Sequence, residues 1–454
     1  METANPRFID KSAIFHRQIT HSYPLAVRGE GAVIIDSNGR RFLDGAGGVF
    51  VAILGHSPQE VAAAISKQAH ELNFAYTGDF TTAAVERLAR ELLEIAPRGF
   101  SKVWLTTSGS TANETAIKLA RQYHLLRGRQ EKTKIISRWH SYHGSTMGAL
   151  SMTGTPPRRR PYEPYLLNFP HVHPPYCYRC PLGLTYPSCS AVCAQEIEAA
   201  IGMAGAQYIS AIIMEPVAGG PLGGLVTPPE YFQRARRICD ESDVLLIVDE
   251  VVSGIGRTGD WFGVEQSGIV PDIITLAKGL GGGFMPIGAV LVHERVYEAF
   301  ASSGTSFLHG ESLTGHVLIG AAGSAVIEFI KNHDLLSYIQ QLSGYLDKIL
   351  RRIAELPLVG EVRGRGLLRG LELVRDKKTK EPFPRELQVA ERVVEAAARQ
   401  NVLLIAGNAC ADGINGDTVV LAPPYIITEN QIDELVRVLA DSIRLVAEEL
   451  ATRK

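Results

Sequence analysis

The sequence predicts an α/β fold, in which a large domain with a mostly parallel central sheet flanked by helices is joined to a smaller α+β domain. The chain has 454 residues and is 45% hydrophobic, which allows a large buried core and more than one domain. Helical periodicity alternates with short β-prone runs over most of the chain. Two of these runs, 244–248 and 273–277, are apolar on both faces, as buried strands of a parallel sheet are.

The order of elements predicts three parts. Residues 1–60 form an N-terminal segment that packs with the small domain, residues 61–320 form the large domain, and residues 321–454 form the C-terminal small domain. A hairpin is predicted in 29–44, because two short strands flank the turn-forming run Asp36-Ser37-Asn38-Gly39. The small α+β domain is therefore expected to contain both ends of the chain.

The remaining elements follow from periodicity and from start and stop signals. Pro58 suits the first turn of one helix, and Pro97 lies just past the end of the next. Helices are predicted at 57–72, 81–95, 111–121, 194–201, 228–240, from about 320 onward, at 388–399 and at 429–450. Strands are predicted at 101–107, 134–137, 209–214, 287–292, within 359–373, at 402–405 and at 418–421.

Composition excludes several classes of partner. The formal net charge is -2 and the isoelectric point is about 6.7, so nothing favours binding to nucleic acid or to an anionic membrane. Residues 1–24 hold no apolar run of signal-peptide length, and no stretch approaches the roughly 20 apolar residues of a membrane span. These observations predict a soluble cytoplasmic protein.

Charged residues follow the two apolar strands at the point where each strand ends. Asp249 and Glu250 follow 244–248, and Lys278 follows 273–277 and precedes four glycines among its next five residues. Open α/β sheets bind ligands at this edge. A lysine that can form a Schiff base and an acid that keeps a pyridine nitrogen protonated are what pyridoxal phosphate chemistry requires. The alternatives are a surface lysine and an acidic helix cap.

The sequence around these residues resembles the class III (ω-type) aminotransferases of fold type I. Asp249 to Gly259 reads DEVVSGIGRTG and Lys278 is followed by Gly279, which is similar to the family's Asp-Glu-Val, Gly-x-Gly-Arg-Thr-Gly and Lys-Gly motifs. The resemblance implies that pyridoxal 5'-phosphate is the cofactor and that Lys278 is its covalent anchor and the catalytic base. It also implies that Asp249 pairs with the ring nitrogen and that Val251 packs against one face of the ring.

A small-residue turn follows strand 101–107 and opens a helix. Thr111 and Glu114 have the spacing of a capping box, and the helix N-terminus offers free N–H groups to an anion. The run SGSTANE also resembles the family's Ser-Gly-Ser-x-Ala-Asn-Glu turn. That resemblance places the cofactor phosphate on Gly109 and Ser110.

The resemblance assigns roles to five further residues. It places Tyr142 on the second face of the ring with His143 beside it, Glu215 in the lining of the cofactor site and Phe50 in the wall of the substrate pocket. Ordinary core packing is the alternative for Phe50. Ser312, within HGESLTGH, replaces the threonine that binds the phosphate of the neighbouring subunit's cofactor, which implies a homodimer with shared active sites.

Three features depart from the family pattern or fall outside it. No arginine lies between Asn401 and Pro424, where the family often holds the substrate carboxylate, and Leu313 and Val317 replace an aromatic residue and a proline of the Ser312 loop. The triplet 158–160 is either a solvated loop or a contact for an anionic substrate. The four cysteines of 177–193 are free thiols, disulfides or a zinc site, and since the proposed chemistry needs no zinc, no metal site is predicted.

The predicted function is transfer of an amino group from an amine or an ω-amino acid to a keto acid, either pyruvate or 2-oxoglutarate. The alternative is a lyase that uses the same cofactor to eliminate ammonia or phosphate from an amino alcohol or a phosphorylated amine. A non-enzymatic scaffold would require Lys278 to be idle. A dinucleotide site at Gly254-x-Gly256-x-x-Gly259 is rejected, because these glycines lie several residues beyond the strand and do not open a helix.

Overall fold

The computed structural model describes residues 12–19 and 21–452, and the first eleven residues of the predicted N-terminal segment lie outside this range. The strands form three sheets. In chain order they are β1 (Ala26–Glu30), β2 (Val33–Asp36), β3 (Arg41–Asp44), β4 (Phe100–Thr106), β5 (Lys134–Arg138), β6 (His171–Val172), β7 (Ile209–Met214), β8 (Leu245–Asp249), β9 (Ile273–Leu276), β10 (Gly288–His293), β11 (Val359–Arg365), β12 (Leu368–Leu373), β13 (Val402–Leu403), β14 (Ile405–Asn408) and β15 (Asp417–Leu421).

The largest sheet has seven strands in the order β4-β10-β9-β8-β7-β5-β6. β10 runs antiparallel to both of its neighbours, and the pairs from β9 to β6 are all parallel. The central strands β7, β8 and β9 are buried along their whole length, because helices cover both faces of the sheet. The predicted mostly parallel α/β fold is therefore confirmed.

The described helices agree with most of the predicted ones. They are Gln59–Glu71, Ala83–Ile95, Gly109–Leu126, Met147–Met152, Pro156–Arg159, Gln195–Ala204, Pro229–Glu241, Glu294–Ser303, Val317–Asn332, Leu335–Ala354, Val389–Arg399 and Glu429–Ala451. The single long helix predicted from about residue 320 is wrong, because the chain turns at Asp334, whose backbone is left-handed. None of the helices within the described residues combines the length and the apolar character that spanning a membrane would require.

Two smaller sheets contain the ends of the chain. One has the order β1-β2-β3-β13 and the other β11-β12-β15-β14. The predicted hairpin is present as β2 and β3, but the single strand predicted at 402–405 is wrong. Val402 and Leu403 pair in parallel with β3, and the chain then pairs with β15 from Ile405 onward. The division at residues 60 and 320 stays a prediction, although every strand of the large sheet lies between those two positions.

A left-handed turn links the N-terminal sheet to the edge of the large sheet. Its residues 47–50 all have positive φ, and two of them are glycines, which adopt this conformation without steric cost. Asp44 holds the turn, because its carboxylate accepts hydrogen bonds from the backbone of Ala46 (3.1 Å) and Gly48 (2.9 Å). This turn carries Phe50.

Candidate active site

The carboxyl ends of β8 and β9 meet at one edge of the large sheet. The two strands are neighbours, and Asp249 lies opposite Thr275 in their register. Lys278 follows the end of β9, so both predicted catalytic residues leave the sheet at the same edge. A cavity of about 290 Å³ lies there. Eight of the predicted site residues line it, namely Gly109, Ser110, Tyr142, His143, Glu215, Asp249, Val251 and Lys278.

Hydrogen bonds fix the Asp249 carboxylate on three sides. Its Oδ2 accepts from Asn113 Nδ2 (2.8 Å) and from His143 Nδ1 (2.8 Å), and its Oδ1 accepts from the backbone N–H of Val251 (3.0 Å). Asp249 is only 4% exposed. A carboxylate has about four acceptor positions, so one position remains for a donor in the cavity.

Asn113 is a site residue that sequence reasoning misses. It is buried in the first turns of the helix Gly109–Leu126, and it donates to both Asp249 and the backbone oxygen of His143 (2.7 Å). Its own oxygen accepts from Thr275 Oγ1 (2.8 Å). An asparagine in the middle of a motif that opens a buried helix is a signal that could identify it, because buried amides are usually held by specific partners.

His143 is oriented by the same carboxylate. Because a carboxylate only accepts hydrogen bonds, the proton of a neutral His143 lies on Nδ1. Its Nε2 is buried and has no partner among the described residues. The hydrogen bond to Asp249 thus fixes the orientation of the His143 ring, and Nε2 is left buried on its other side.

Lys278 has an unusual backbone and an unpaired amine. Its φ is +42°, which is rare for a residue other than glycine. No carboxylate of the described residues pairs with it, and its Nζ lies 5.0 Å from the centre of the Phe50 ring. Burial lowers the pKa of Lys278 to about 8, although the negative charges of Asp249 and Glu215 act in the opposite direction. A larger fraction of this amine is therefore neutral at neutral pH than for an ordinary lysine.

Glu215 follows β7 and faces the same cavity. Burial raises its pKa. Its Oε2 is buried without a partner among the described residues. Arg138 Nη2 (2.7 Å) and Thr227 Oγ1 (3.1 Å) both donate to its backbone oxygen, so the position of the residue is fixed while its carboxyl group is left for another partner.

The small-residue turn does open a helix, as predicted, but the predicted capping box is wrong. Ser108, and not Thr111, caps the helix: Ser108 Oγ accepts from the Thr111 backbone (3.2 Å), and Thr111 Oγ1 accepts from the Ser108 backbone (3.0 Å). Glu114 instead accepts from the backbone N–H groups of Gly148 (2.7 Å) and Ala149 (3.2 Å). The helix therefore begins two residues before Thr111, at Gly109.

This shift places Gly109 and Ser110 in the first helical turn, where N–H groups have no acceptor within the helix. Gly109 also packs against Val251, since a Cβ at this position would lie 2.9 Å from Val251 Cγ1. The free N–H groups and the positive end of the helix dipole suit a phosphate group at this position.

A second cavity, of about 300 Å³, continues the site toward the C-terminal sheet. Tyr142, Glu215 and Lys278 line both cavities, and Phe50 lines the second. Phe50 is 5% exposed and also packs with Val217, Leu368, Val420 and Ala422. Both interpretations of Phe50, as a wall of the substrate pocket and as part of the core, are thus compatible with its position.

Ser312 does not join the other site residues of its own chain. It is exposed and lies outside both cavities. Its loop is held at each side, because His309 Nε2 lies 2.9 Å from Thr115 Oγ1 and Thr107 Oγ1 donates to Glu311 Oε2 (3.4 Å). The loop therefore lies beside the phosphate turn, with Ser312 facing outward.

The cysteine-rich segment contains reduced cysteines. Cys177, Cys180, Cys189 and Cys193 are all free thiols. Over residues 12–19 and 21–452, no group of three or more His, Cys, Asp or Glu side chains is arranged to hold a metal ion. The zinc alternative remains a hypothesis without structural support.

Comparison with known proteins identifies the family. The chain matches the aminotransferase class-III family over residues 14–443. An uncharacterized aminotransferase of Schizosaccharomyces pombe is 37% identical over 444 residues, which cover 97% of each chain. The putrescine–pyruvate aminotransferase of Pseudomonas aeruginosa is 33% identical, over 91% of this chain and 88% of its own.

Solved structures agree with the sequence relatives. An (S)-enantioselective omega-transaminase from Thermomicrobium roseum superimposes with a TM-score of 0.90 and 35% identity, and the match covers 97% of each chain. The large sheet with charged groups at the ends of β8 and β9 defines an α/β enzyme of fold type I. The chain belongs to the class III aminotransferases, a family of enzymes that depend on pyridoxal phosphate.

Proposed function

We propose that this enzyme uses pyridoxal 5'-phosphate to transfer an amino group from an amine or an ω-amino acid to a keto acid. The observation that carries the proposal is the placement of Asp249 and Lys278 at neighbouring strand ends that face one cavity. When bound, the cofactor supplies an electron sink for the carbanion formed at the substrate carbon.

The residues of the cavity fit this cofactor. Asp249 has an acceptor position left for a protonated ring nitrogen, and Asn113 and His143 hold its carboxylate in place. Val251 and Tyr142 would enclose the two faces of the ring, and the first helical turn at Gly109 and Ser110 would hold the phosphate. These assignments rest on the common cavity and on the resemblance to the family.

Lys278 is proposed as the covalent anchor and the catalytic base. Its amine would hold the cofactor covalently, and the neutral Nζ, once free, would accept a proton from the substrate carbon and return it on the product side. The lowered pKa supports this role, because a base must be neutral near the working pH. Glu215 lines the site, where burial favours its neutral form.

The donors and acceptors are proposed from the relatives. Relatives that cover nearly the whole chain include the P. aeruginosa putrescine–pyruvate aminotransferase and adenosylmethionine-8-amino-7-oxononanoate aminotransferases, so their donors differ. These names favour transamination over elimination of ammonia or phosphate. Pyruvate and 2-oxoglutarate are the proposed acceptors.

We also propose a homodimer in which Ser312 binds the phosphate of the partner's cofactor. The surface near Ser312 is apolar, since Leu308 and Leu313 are exposed and Phe74 packs against His316 at 5.5 Å between ring centres. Exposed Phe80 and Tyr76 extend this surface. Exposed apolar patches of this kind are typical of interfaces. Sedimentation analysis should show a dimer, and Leu313→Asp should shift it toward monomer; a wild-type monomer would contradict this part of the proposal.

The test of the main proposal is a panel of amines, each assayed with pyruvate and with 2-oxoglutarate. With the amine alone, a transaminase converts the yellow lysine-bound cofactor to its amino form, and a keto acid then restores the yellow colour. Release of ammonia without this colour change would instead support the lyase. A purified protein that acquires no yellow band with added cofactor would contradict both.

A further inference from the structure

The second cavity is lined by arginine side chains, although the sequence has no arginine between Asn401 and Pro424. On the C-terminal side, the cavity is lined by 405–408, which reads Ile-Ala-Gly-Asn and carries no charge. Arg158 and Arg17 also line it. Two arginines thus border the cavity that contains Lys278.

The three arginines of the triplet have different environments. Arg159 is buried, and its Nη1 donates to the backbone oxygens of Ser151 (2.8 Å) and Thr153 (2.9 Å), so its role is structural. Arg158 and Arg160 are both exposed to solvent, but Arg160 does not line the cavity. Arg158 alone of the three lines it. The triplet is therefore neither a uniformly solvated loop nor a uniform basic patch.

Arg158 is held in place without being neutralised. Its Cζ lies 4.8 Å from the centre of the Tyr142 ring, which is within the range of a cation–π contact. No carboxylate of the described residues lies within ion-pair distance of it. The acid that shares the cavity is Glu215, and burial raises the pKa of Glu215. Arg17 adds a second positive charge, so the cavity favours an anion.

We infer that Arg158 binds the carboxylate of the keto acid acceptor and so replaces the arginine that the sequence lacks between Asn401 and Pro424. This inference rests on the proposed function. The reacting carbonyl lies at the Lys278 end of the cavity and the carboxylate at the Arg158 end. Arg158 offers a planar pair of N–H donors, which matches the geometry of a carboxylate. Arg158 is thus a specificity-determining residue for acceptors with a carboxylate next to the carbonyl.

Pyruvate and acetaldehyde test this inference, because acetaldehyde is pyruvate without the carboxylate. In Arg158→Ala holoenzyme, we expect the KM for pyruvate to rise about 10- to 100-fold, as the loss of a charge-assisted contact predicts. The KM for acetaldehyde should stay within about twofold of wild type. Arg158→Lys should recover part of the affinity for pyruvate. Arg160→Ala is the matched control and should behave as wild type with both acceptors.

Calorimetry with propanoate, a carboxylate that does not react, provides a second measurement that is independent of turnover. Propanoate should bind Arg160→Ala as it binds wild type and should bind Arg158→Ala at least about tenfold more weakly. Equal affinity of wild type and Arg158→Ala for propanoate would overturn the assignment of Arg158. Absence of any amine-to-pyruvate transfer by the wild-type holoenzyme would instead refute the proposed function, and the two failures are therefore distinguishable.

Discussion

Two groups of buried charged side chains differ in how completely the protein pairs them. In the cavity, Glu215 Oε2 and His143 Nε2 have no partner among the described residues. Elsewhere, both oxygens of Glu250 are bonded, with Val264 N donating at 2.8 Å and Gly263 N at 3.0 Å. Glu372 is likewise bonded through both oxygens, to Tyr176, Arg179 and Arg363.

Among these glutamates, the one that keeps an open hydrogen-bonding position is Glu215, which lines the cavity. Asp249 and Glu250 are adjacent in sequence and both are buried, yet only Asp249 lines the cavity. Glu250 accepts hydrogen bonds from the nearby backbone of Gly263 and Val264. Glu372 accepts them from Tyr176, Arg179 and Arg363. A buried polar group that keeps an open hydrogen-bonding position beside a cavity is a candidate for ligand binding, because an unsatisfied group is otherwise costly.

The largest expected effect comes from Lys278→Ala. The substitution removes both the covalent anchor and the base, so transamination should fall by at least about 10⁴-fold. The yellow band of the lysine-bound cofactor should disappear from the absorbance spectrum. The melting temperature of the cofactor-free protein should hardly change, because Lys278 has no ion pair to lose. An unchanged visible spectrum would refute the role of Lys278.

Asp249→Asn tests whether Asp249, and not its neighbour Glu250, is the carboxylate that acts in the reaction. Without the negative charge opposite the ring nitrogen, turnover should drop by about three powers of ten while the cofactor remains bound. Both properties are measured by steady-state kinetics and by absorbance after gel filtration.

Glu250→Gln is the matched control for Asp249→Asn. Turnover should remain within about threefold of wild type, and stability should fall by about 1–3 kcal/mol, because an amide cannot accept all the hydrogen bonds that the carboxylate accepts. Near-normal turnover in Asp249→Asn, or a collapse of turnover in Glu250→Gln with the protein still folded, would contradict the distinction between the two groups.

Glu372→Ala should affect stability and leave the chemistry largely intact. Removing this carboxylate leaves Arg179 without its ion-pair partner and leaves Arg363 with Glu361 alone, and breaking a buried ion pair typically costs about 3–5 kcal/mol. Chemical denaturation measures this loss. Glu395→Ala, which removes an exposed pair with Arg399, is the control and should change stability little. A Glu372→Ala protein as stable as the wild type would show that this cluster does not hold the fold.

The smallest expected effect is in the pH dependence of cofactor attachment. Because the pKa of Lys278 is lowered to about 8, the neutral amine becomes the main form as the pH rises through that value. The rate at which cofactor-free protein forms the lysine-bound chromophore should therefore increase roughly tenfold from pH 7 to pH 9 and then level off. A rate that still increases tenfold between pH 9 and pH 10 would indicate an ordinary lysine.

Local patterns in the sequence predict the parts of the site that lie close together along the chain. Short apolar runs locate β8 and β9, so the positions of Asp249 and Lys278 at one sheet edge follow from the amino-acid sequence alone. Small residues locate the helix that begins at Gly109, although a cap at Thr111 lies three residues too late. Local spacing cannot show that Glu114 accepts a hydrogen bond from the backbone N–H of Gly148 and does not cap the helix.

Local patterns cannot identify hydrogen-bond partners that are distant in the sequence. Asn113 and Asp249 are 136 positions apart, and only the folded sheet brings them together. The sequence does not show the break between β13 and β14, because all four residues of 402–405 are apolar. The two strands are separate because β13 pairs with β3 and β14 pairs with β15. Arg158 is likewise one of three consecutive arginines in the sequence, and only the folded chain shows which of them lines the cavity.

The parallel pairing of β13 with β3 has a mechanical consequence. Val402 lies opposite Leu43 and Leu403 opposite Asp44, and Asp44 holds the turn that carries Phe50. The N–H of Ala422 adds a bond to the oxygen of Gly45 (2.7 Å). Any tilt of the last hundred residues relative to the large sheet would thus be transmitted to Phe50. A deletion of residues 1–60 would remove both Phe50 and β3, the strand that supports it.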